Sequence, residues 1–378
     1  MNILITVGIF PPDIGGPASF VPKISEFLIE HGHNIKIICL SEVKNKNTED
    51  NLDVIRIKRS NNLPIRWIKT IYEIIKNGRK SDLIFVNGLG VESTIANLIL
   101  KKQLIRKIVG DPVWERAYNQ NKIIESFDEF QNNKHSFLIE VQKLLRNWSI
   151  NSADTVITPS DHLKNFVSGI GFSNKITKIN NGVDITEIKK ADVHKTDINL
   201  IIISRLVVQK NINIVIEAME LLDNKNLKLN IIGEGGEFSK LESAILDLNL
   251  QNRVKLLGKI GNNSISQFLL TADIFIQASD YEGLPHSVLE AINYEVPILS
   301  TEAGGCKDLL NDGERGFIIP MPPDKKIIAE NISFIIRNKT EATKRAGKAK
   351  TFINKKYNFL VQANQYMKIF QQNEKIKL

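Results

Sequence analysis

The chain has 378 residues, a formal net charge of +8 and 42% hydrophobic residues. This is the composition of an ordinary soluble globular protein, long enough for two domains with a core each. No run approaches the roughly 18 apolar residues of a membrane span, and the two cysteines, Cys39 and Cys306, offer no metal-ligand spacing and suit a reducing cytoplasm.

Residues 2–8 read as a buried strand that begins without the basic flank and cleavage site of a signal peptide. The expectation is a cytoplasmic protein, soluble or peripheral on the inner face of the membrane. The loop Gly8-Ile-Phe-Pro-Pro-Asp-Ile-Gly-Gly-Pro17 follows. Gly15 and Gly16 are either a plain strand-to-helix turn or a place where backbone closely approaches a ligand. Phe20, Ile24, Phe27 and Leu28 line one face of the next helix, which Gly32 ends. His31 and His33 flank that glycine with no acidic residue or cysteine to complete a metal site.

A second strand covers 35–40, and further short apolar runs lie at 54–57, 83–86, 105–109 and 155–158. Strands alternating with helices argue for a parallel sheet covered on both faces. Residues 51–80 gather Arg56, Lys58, Arg59, Arg66, Lys69, Lys76, Arg79 and Lys80 against Asp53 and Glu73. Such a segment is a solvated face, or it is drawn to an anionic membrane or acceptor. Nucleic acid is not expected, because no binding motif accompanies the charge. Residues 112–135 break the rhythm as a long connection carrying Trp114, Tyr118, Phe127 and Phe130, the kind that is often functional. A helix over 136–151 then places Phe137, Val141, Leu144, Leu145 and Trp148 on one face.

The polar stretch 182–197 reads as an interdomain linker. A second alternating unit follows, with strands at 200–204, 227–232, 254–257, 274–277, 297–300 and 316–319 and helices at 212–222, 240–248 and 285–294. The expected fold class is α/β, with two Rossmann-like domains facing a cleft.

Ser279-Asp-Tyr-Glu-Gly-Leu-Pro-His-Ser-Val-Leu-Glu-Ala-Ile292 is the most informative stretch. Gly283, Leu284 and Pro285 form a break that opens a helix, with Pro285 in its first turn. The amides of His286, Ser287 and Val288 then point outward at a positive helix end, an anion site flanked by Glu282 and Glu290. In Ser204-Arg-Leu-Val-Val-Gln-Lys-Asn211, Arg205 and Lys210 bracket a loop. They are solvated charges, or cations able to neutralise a diphosphate leaving group. Gly233-Glu-Gly-Gly-Glu-Phe238 and Gly88-Leu-Gly-Val-Glu-Ser93 are incomplete dinucleotide fingerprints, better read as turns at the sheet edge. No Asp-x-Asp pair occurs, so a divalent metal holding a diphosphate is not indicated.

These elements in this order resemble the retaining glycosyltransferases of family four, which have the two-domain GT-B fold. The resemblance covers nearly the whole chain. It is carried by Ala153–Ser160, Asn181–Asp184, Ser204–Asn211, Gly233–Gly235, Leu257–Lys259, Glu282–Glu290 and Gly304–Gly305. It implies that residues 1–185 form the acceptor domain, that 186–356 form the nucleotide-sugar domain, and that a helix over about 357–378 packs back on the first. It implies that Arg205 and Lys210 hold the donor diphosphate, joined by the Gly16 amide beside Gly15. Glu290 would bond the ribose and Glu282 the transferring sugar. The turn from Gly233 to Gly235 and the residues after Gly258, Lys259 and Ile260, would flank the base. Where many relatives carry a His-Asp pair, this chain has Gly110-Asp111-Pro-Val-Trp-Glu115. Asp111 is then either a sugar or acceptor contact, helped by Trp114 and Glu115, or a cap for the following turn.

The implied activity is metal-independent, retaining transfer of a hexose-type sugar from a UDP- or GDP-sugar to a lipid-linked or polysaccharide acceptor. No resident cofactor is expected. A nucleotide-sugar 2-epimerase of the same fold and a non-catalytic nucleotide-sugar-binding subunit are the alternatives.

Overall fold

A computed structural model describes residues 1–13, 15–43, 52–185 and 197–372. Most of the linker expected over 182–197 lies outside the described residues. The chain divides into two compact units. The first holds Met1–Val113, Lys134–Ile179 and the chain from Gln362, and the second holds Trp114–Asn133 and Asn180–Val361.

In the first unit the elements run β1 (Asn2–Val7), α1 (Gly16–Glu30), β2 (Asn34–Ser41), β3 (Asp53–Lys58), α2 (Leu63–Gly78), β4 (Leu83–Asn87), α3 (Gly90–Leu100) and β5 (Gln103–Lys107). After α4 (Pro112–Asn119) and α5 (Phe127–Asn132) come α6 (Phe137–Asn151), β6 (Thr155–Thr158), α7 (Asp161–Gly169) and β7 (Lys175–Lys178). The seven strands form one parallel sheet in the order β3-β2-β1-β4-β5-β6-β7. Strand order reverses beside β1, so the switch point lies between the carboxyl ends of β1 and β4. Ile3, Leu4, Ile5 and Val7, and Leu83 to Val86, are buried, as expected of central strands covered on both faces. β7, the short edge strand Lys-Ile-Thr-Lys, carries no apolar run that would have revealed it.

The second unit holds β8 (Ile198–Ile203), α8 (Ile212–Glu220), β9 (Leu227–Ile232), α9 (Phe238–Asp247), β10 (Val254–Gly258), α10 (Asn262–Thr271) and β11 (Ile274–Gln277). It continues with α11 (His286–Asn293), β12 (Ile298–Thr301), α12 (Gly305–Leu310), β13 (Phe317–Ile319), α13 (Lys325–Arg337) and α14 (Lys339–Lys356). Its six-stranded parallel sheet has the order β10-β9-β8-β11-β12-β13. The switch point here lies between β8 and β11.

The last helix, α15 (Phe359–Gln372), passes from the second unit to the first. In the first unit its Tyr366 and Phe370 pack on Phe85, with ring centroids 5.6 and 5.3 Å away, and Tyr366 also meets Phe20 at 5.2 Å.

One expectation changes, and one helix gains an orientation. Residues 112–135 are no structureless connection: they fold into α4 and α5, and 114–133 pack with the second unit. The Ser126 hydroxyl and the Glu129 carboxylate form a reciprocal capping box that starts α5. On α6 the apolar face turns outward. Phe137 is 85% exposed and Leu144 67%, whereas Lys143, Arg146 and Ser149 are buried. The inward face serves a polar network: Arg146 pairs with buried Asp111, and Arg106 donates to Ser149 Oγ at 2.5 Å.

Candidate active site

The loops that leave β8 and β11 meet at the switch point of the second sheet. After β8 the chain makes one 3-10 turn, Val208–Lys210, and Asn211 in the left-handed region (φ 51°) starts α8. After β11, Ser279 to Pro285 lead into α11. Lys210 Nζ donates to Glu282 Oε1, and the same oxygen accepts from Ser279 Oγ at 2.8 Å. Both side chains are largely withdrawn from water, 9% exposed for Lys210 and 13% for Glu282.

Asp280 ties the two loops together. Its amide donates to Gln209 O at 2.9 Å, and its carboxylate accepts from Asn211 Nδ2 at 2.7 Å and from Tyr118 Oη at 2.6 Å. Burial raises the Asp280 carboxyl above its ordinary range, against the lowering by these hydrogen bonds and by Lys210. Burial, and then the Asp280 bond, likewise push the Tyr118 phenol upward. Beneath the site, burial first and Glu282 second lift the Cys306 thiol to about 12, so it is an inert packing group that accepts from Gln277.

The glycines here admit backbone where a side chain would collide. A Cβ on Gly304 (φ 52°) would overlap the Glu282 carbonyl, and one on Gly305 would press on the Gly283 carbonyl. A Cβ on Gly233 (φ 145°) would overlap the Ser204 carbonyl, and one on Gly235 that of Leu206. Gly233 and Gly235 thus let the loop after β9 lie against the Arg205 loop. Gly233 N also donates to Gly258 O at 2.9 Å, which draws in the turn before Lys259 and Ile260. Lys259 is exposed and Ile260 packs on the core.

Pro285 is the N-cap of α11, one position before the first turn expected for it, and His286, Ser287 and Val288 occupy that turn. First-turn amides have no acceptor within their own helix. Leu284, just before, is fixed by Asn181 Nδ2 donating to its carbonyl at 2.9 Å. Glu290 lies one turn further along α11 and is half-buried.

Arg205 is half-exposed, and its Nη2 lies 3.2 Å from Glu115 Oε2 on α4. Neighbouring contacts hold α4 in place. Asn119 bonds Gln209 through both its amide nitrogen and its oxygen, at 3.3 Å each. Trp114 and Phe127 pack on Tyr281 with centroids 5.4 and 4.2 Å away, the latter pair parallel within 3°. Trp114 is fully buried and donates to Glu125 O at 3.1 Å, so it has no face for a sugar. Tyr118 and Asp280 are functional-looking residues to which sequence reasoning assigned no role.

In the first unit, Gly15 (φ 149°) caps α1 and Gly16 is its first residue. Asp111 is corrected. Its side chain is fully buried, one oxygen accepts from Val113 N at 3.0 Å, and the other pairs with Arg146. It caps the next turn and neutralises a buried cation, which leaves no face for a sugar. Among the described residues no group of three His, Cys, Asp or Glu could hold a metal ion.

Two helix-connected parallel sheets, one ending in paired cations and carboxylates beside a helix N-terminus, form two Rossmann-type α/β units. HepE of Anabaena, solved with UDP and glucose, aligns with a TM-score of 0.80 over 98% of this chain and 100% of its own, at 19% identity. Residues 14–187 match the family described as Glycosyltransferase Family 4, and residues 184–352 match Glycosyl transferases group 1. An uncharacterized glycosyltransferase of Methanocaldococcus jannaschii is 28% identical over 292 residues, 72% of this chain and 69% of its own. The 2-deoxystreptamine N-acetyl-D-glucosaminyltransferase of Niallia circulans is 25% identical over 293 residues, 74% and 72% of the two chains. The chain belongs to the group 1, family 4 glycosyltransferases.

Proposed function

We propose that the protein moves a hexose-type sugar from a UDP- or GDP-sugar to a lipid-linked or polysaccharide acceptor, retaining anomeric configuration and using neither metal nor resident cofactor. The carrying observation is the Lys210–Glu282 pair at the β8–β11 switch point, directly ahead of the first turn of α11. Charge develops on the diphosphate as the glycosidic bond breaks. Lys210, Arg205 and the amides of His286, Ser287 and Val288 supply preorganised positive charge to it. Glu282 addresses the transferring sugar and Glu290 the ribose, with Gly233, Gly235, Lys259 and Ile260 around the base. In this reading the departing phosphate oxygen takes the acceptor proton on the same face, so neither glutamate acts as acid or base.

A lipid-borne acceptor is supported by the surface of the first unit. Leu98 and Ile99 on α3, and Phe137 and Leu144 on α6, are exposed. On α2, Ile68 and Tyr72 are exposed beside Lys69, Lys76 and Arg79. Apolar side chains interleaved with cations suit the interface of an anionic bilayer. No helix among the described residues is long and apolar enough to cross one.

The test is to incubate the protein with UDP- and GDP-hexoses and total membrane lipid, with and without a chelator, and to read the product anomer by NMR. A retained linkage that survives chelation supports the proposal. An inverted linkage, a metal requirement, or epimerised donor without acceptor would refute it.

A further inference from the structure

Resting on the reading that Arg205 receives the donor diphosphate, we propose that Glu115 weakens the hold on the departing nucleoside diphosphate and thereby sets product release. Both cations assigned to the diphosphate have a carboxylate beside them: Lys210 has Glu282, and Arg205 has Glu115 at 3.2 Å. The two pairs differ in setting. Lys210 and Glu282 are nearly shielded from water, whereas Arg205 is 50% exposed and can turn toward an incoming phosphate.

The backbone that carries Glu115 is held in place. Its neighbours on α4 are anchored by the Tyr118–Asp280 bond, the Asn119–Gln209 bonds and the packing of Trp114 on Tyr281. When Arg205 engages the diphosphate, the Glu115 carboxylate therefore remains within reach of the site as a nearby negative charge.

Transfer breaks the bond between the sugar carbon and the terminal phosphate oxygen, and that oxygen keeps the bonding electrons. The freed phosphate has a second ionisation near pH 6, so at neutral pH the product carries about one more negative charge than the donor. A nearby anion repels the product more than the donor. Glu115 thus offsets the extra affinity that Arg205 would otherwise give the product.

The experiment measures dissociation constants of UDP and UDP-glucose, and of GDP and GDP-mannose in parallel, by calorimetry on the full chain. In Glu115→Gln the product-to-donor ratio of dissociation constants should fall roughly threefold, as expected for one unit charge several ångströms away in a high dielectric. The fall should shrink in high salt and below about pH 6. Glu115→Asp keeps the charge and should keep the wild-type ratio. An unchanged ratio in Glu115→Gln, or an equal fall in Glu115→Asp, overturns the inference. Arg205→Gln separates the two levels: if it leaves all affinities unchanged, or if neither nucleotide pair binds the wild type, the diphosphate reading itself fails.

Discussion

Lys210 and Glu282, 72 residues apart, form one hydrogen-bonded ion pair, and Ser279 Oγ donates to the same glutamate oxygen at 2.8 Å. Glu282 is therefore both the group proposed to meet the sugar and the counter-charge of a cation only 9% exposed. Alanine there would strand that cation, so loss of function could follow from misplacement of Lys210. Glu282→Gln keeps the shape and an acceptor. It should leave nucleotide affinity within about threefold and lower the transfer rate by roughly a hundredfold or more, a typical cost for one group aimed at the transition state. Equal losses in affinity and rate would assign Glu282 to binding alone.

Gly304 sets how closely the β12–α12 turn approaches Glu282. Its φ of 52° and the overlap of any Cβ with the Glu282 carbonyl leave no room for a side chain. Gly304→Ala should cost about 1–3 kcal/mol in chemical denaturation, within the range for strained backbone sites, and weaken sugar transfer. A variant as stable and active as wild type would show that this loop yields freely.

Asp280 makes stability depend on pH in a defined direction. Its carboxyl is raised in the folded state, mainly by burial. Its contribution is fully present below the unfolded value of about 4 and is lost as pH rises through the folded value. Asp280→Asn cannot ionise. The melting temperature of the variant minus that of wild type should therefore move in the variant's favour as pH rises through this window. A pH-independent difference would contradict the burial of this carboxyl.

Lys107 is a buried cation in the first unit. It is 5% exposed, and its Nζ lies 3.5 Å from the Phe20 ring centroid and 5.6 Å from that of Tyr366. Burial depresses its ammonium to about 7. The unfolded chain then binds the extra proton between about pH 7 and 10.4, so this group makes stability rise with pH across that interval. Lys107→Met should be more stable near pH 7 by about 1–4 kcal/mol, the range for replacing buried charge with packed apolar groups, less the lost attraction to Phe20. The advantage should vanish toward pH 10. A destabilised variant at pH 7 would mean that the cation contributes more than its burial costs.

The strands were legible because central parallel strands bury both faces, and Asn2-Ile-Leu-Ile-Thr-Val7 can hardly be read otherwise. The cation and carboxylate positions of the second unit were legible because they lie at strand ends beside glycine turns, where chemistry gathers in such sheets. Periodicity left the orientation of α6 open. It finds the apolar face but not the direction in which that face points, and here the inward face serves Asp111 and Arg106. Asp111 looked like a site residue from its position at a strand end, and its partner Arg146 lies 35 residues away. Tyr118 was named in the 112–135 connection but given no role for the same reason, because its partner Asp280 is 162 residues downstream. Pairings at such separations leave no local pattern to read.

The central claim is that the β8–β11 switch point holds a nucleoside-diphosphate sugar through Arg205 and Lys210. Calorimetric titration of UDP and GDP into wild type and the Arg205→Ala/Lys210→Ala double variant tests it most directly. The account predicts that one of the two nucleotides binds wild type and that the double variant raises its dissociation constant by roughly a hundredfold or more, as expected for two charge-assisted contacts. A double variant that binds as tightly as wild type, with its fold intact by circular dichroism, would contradict it.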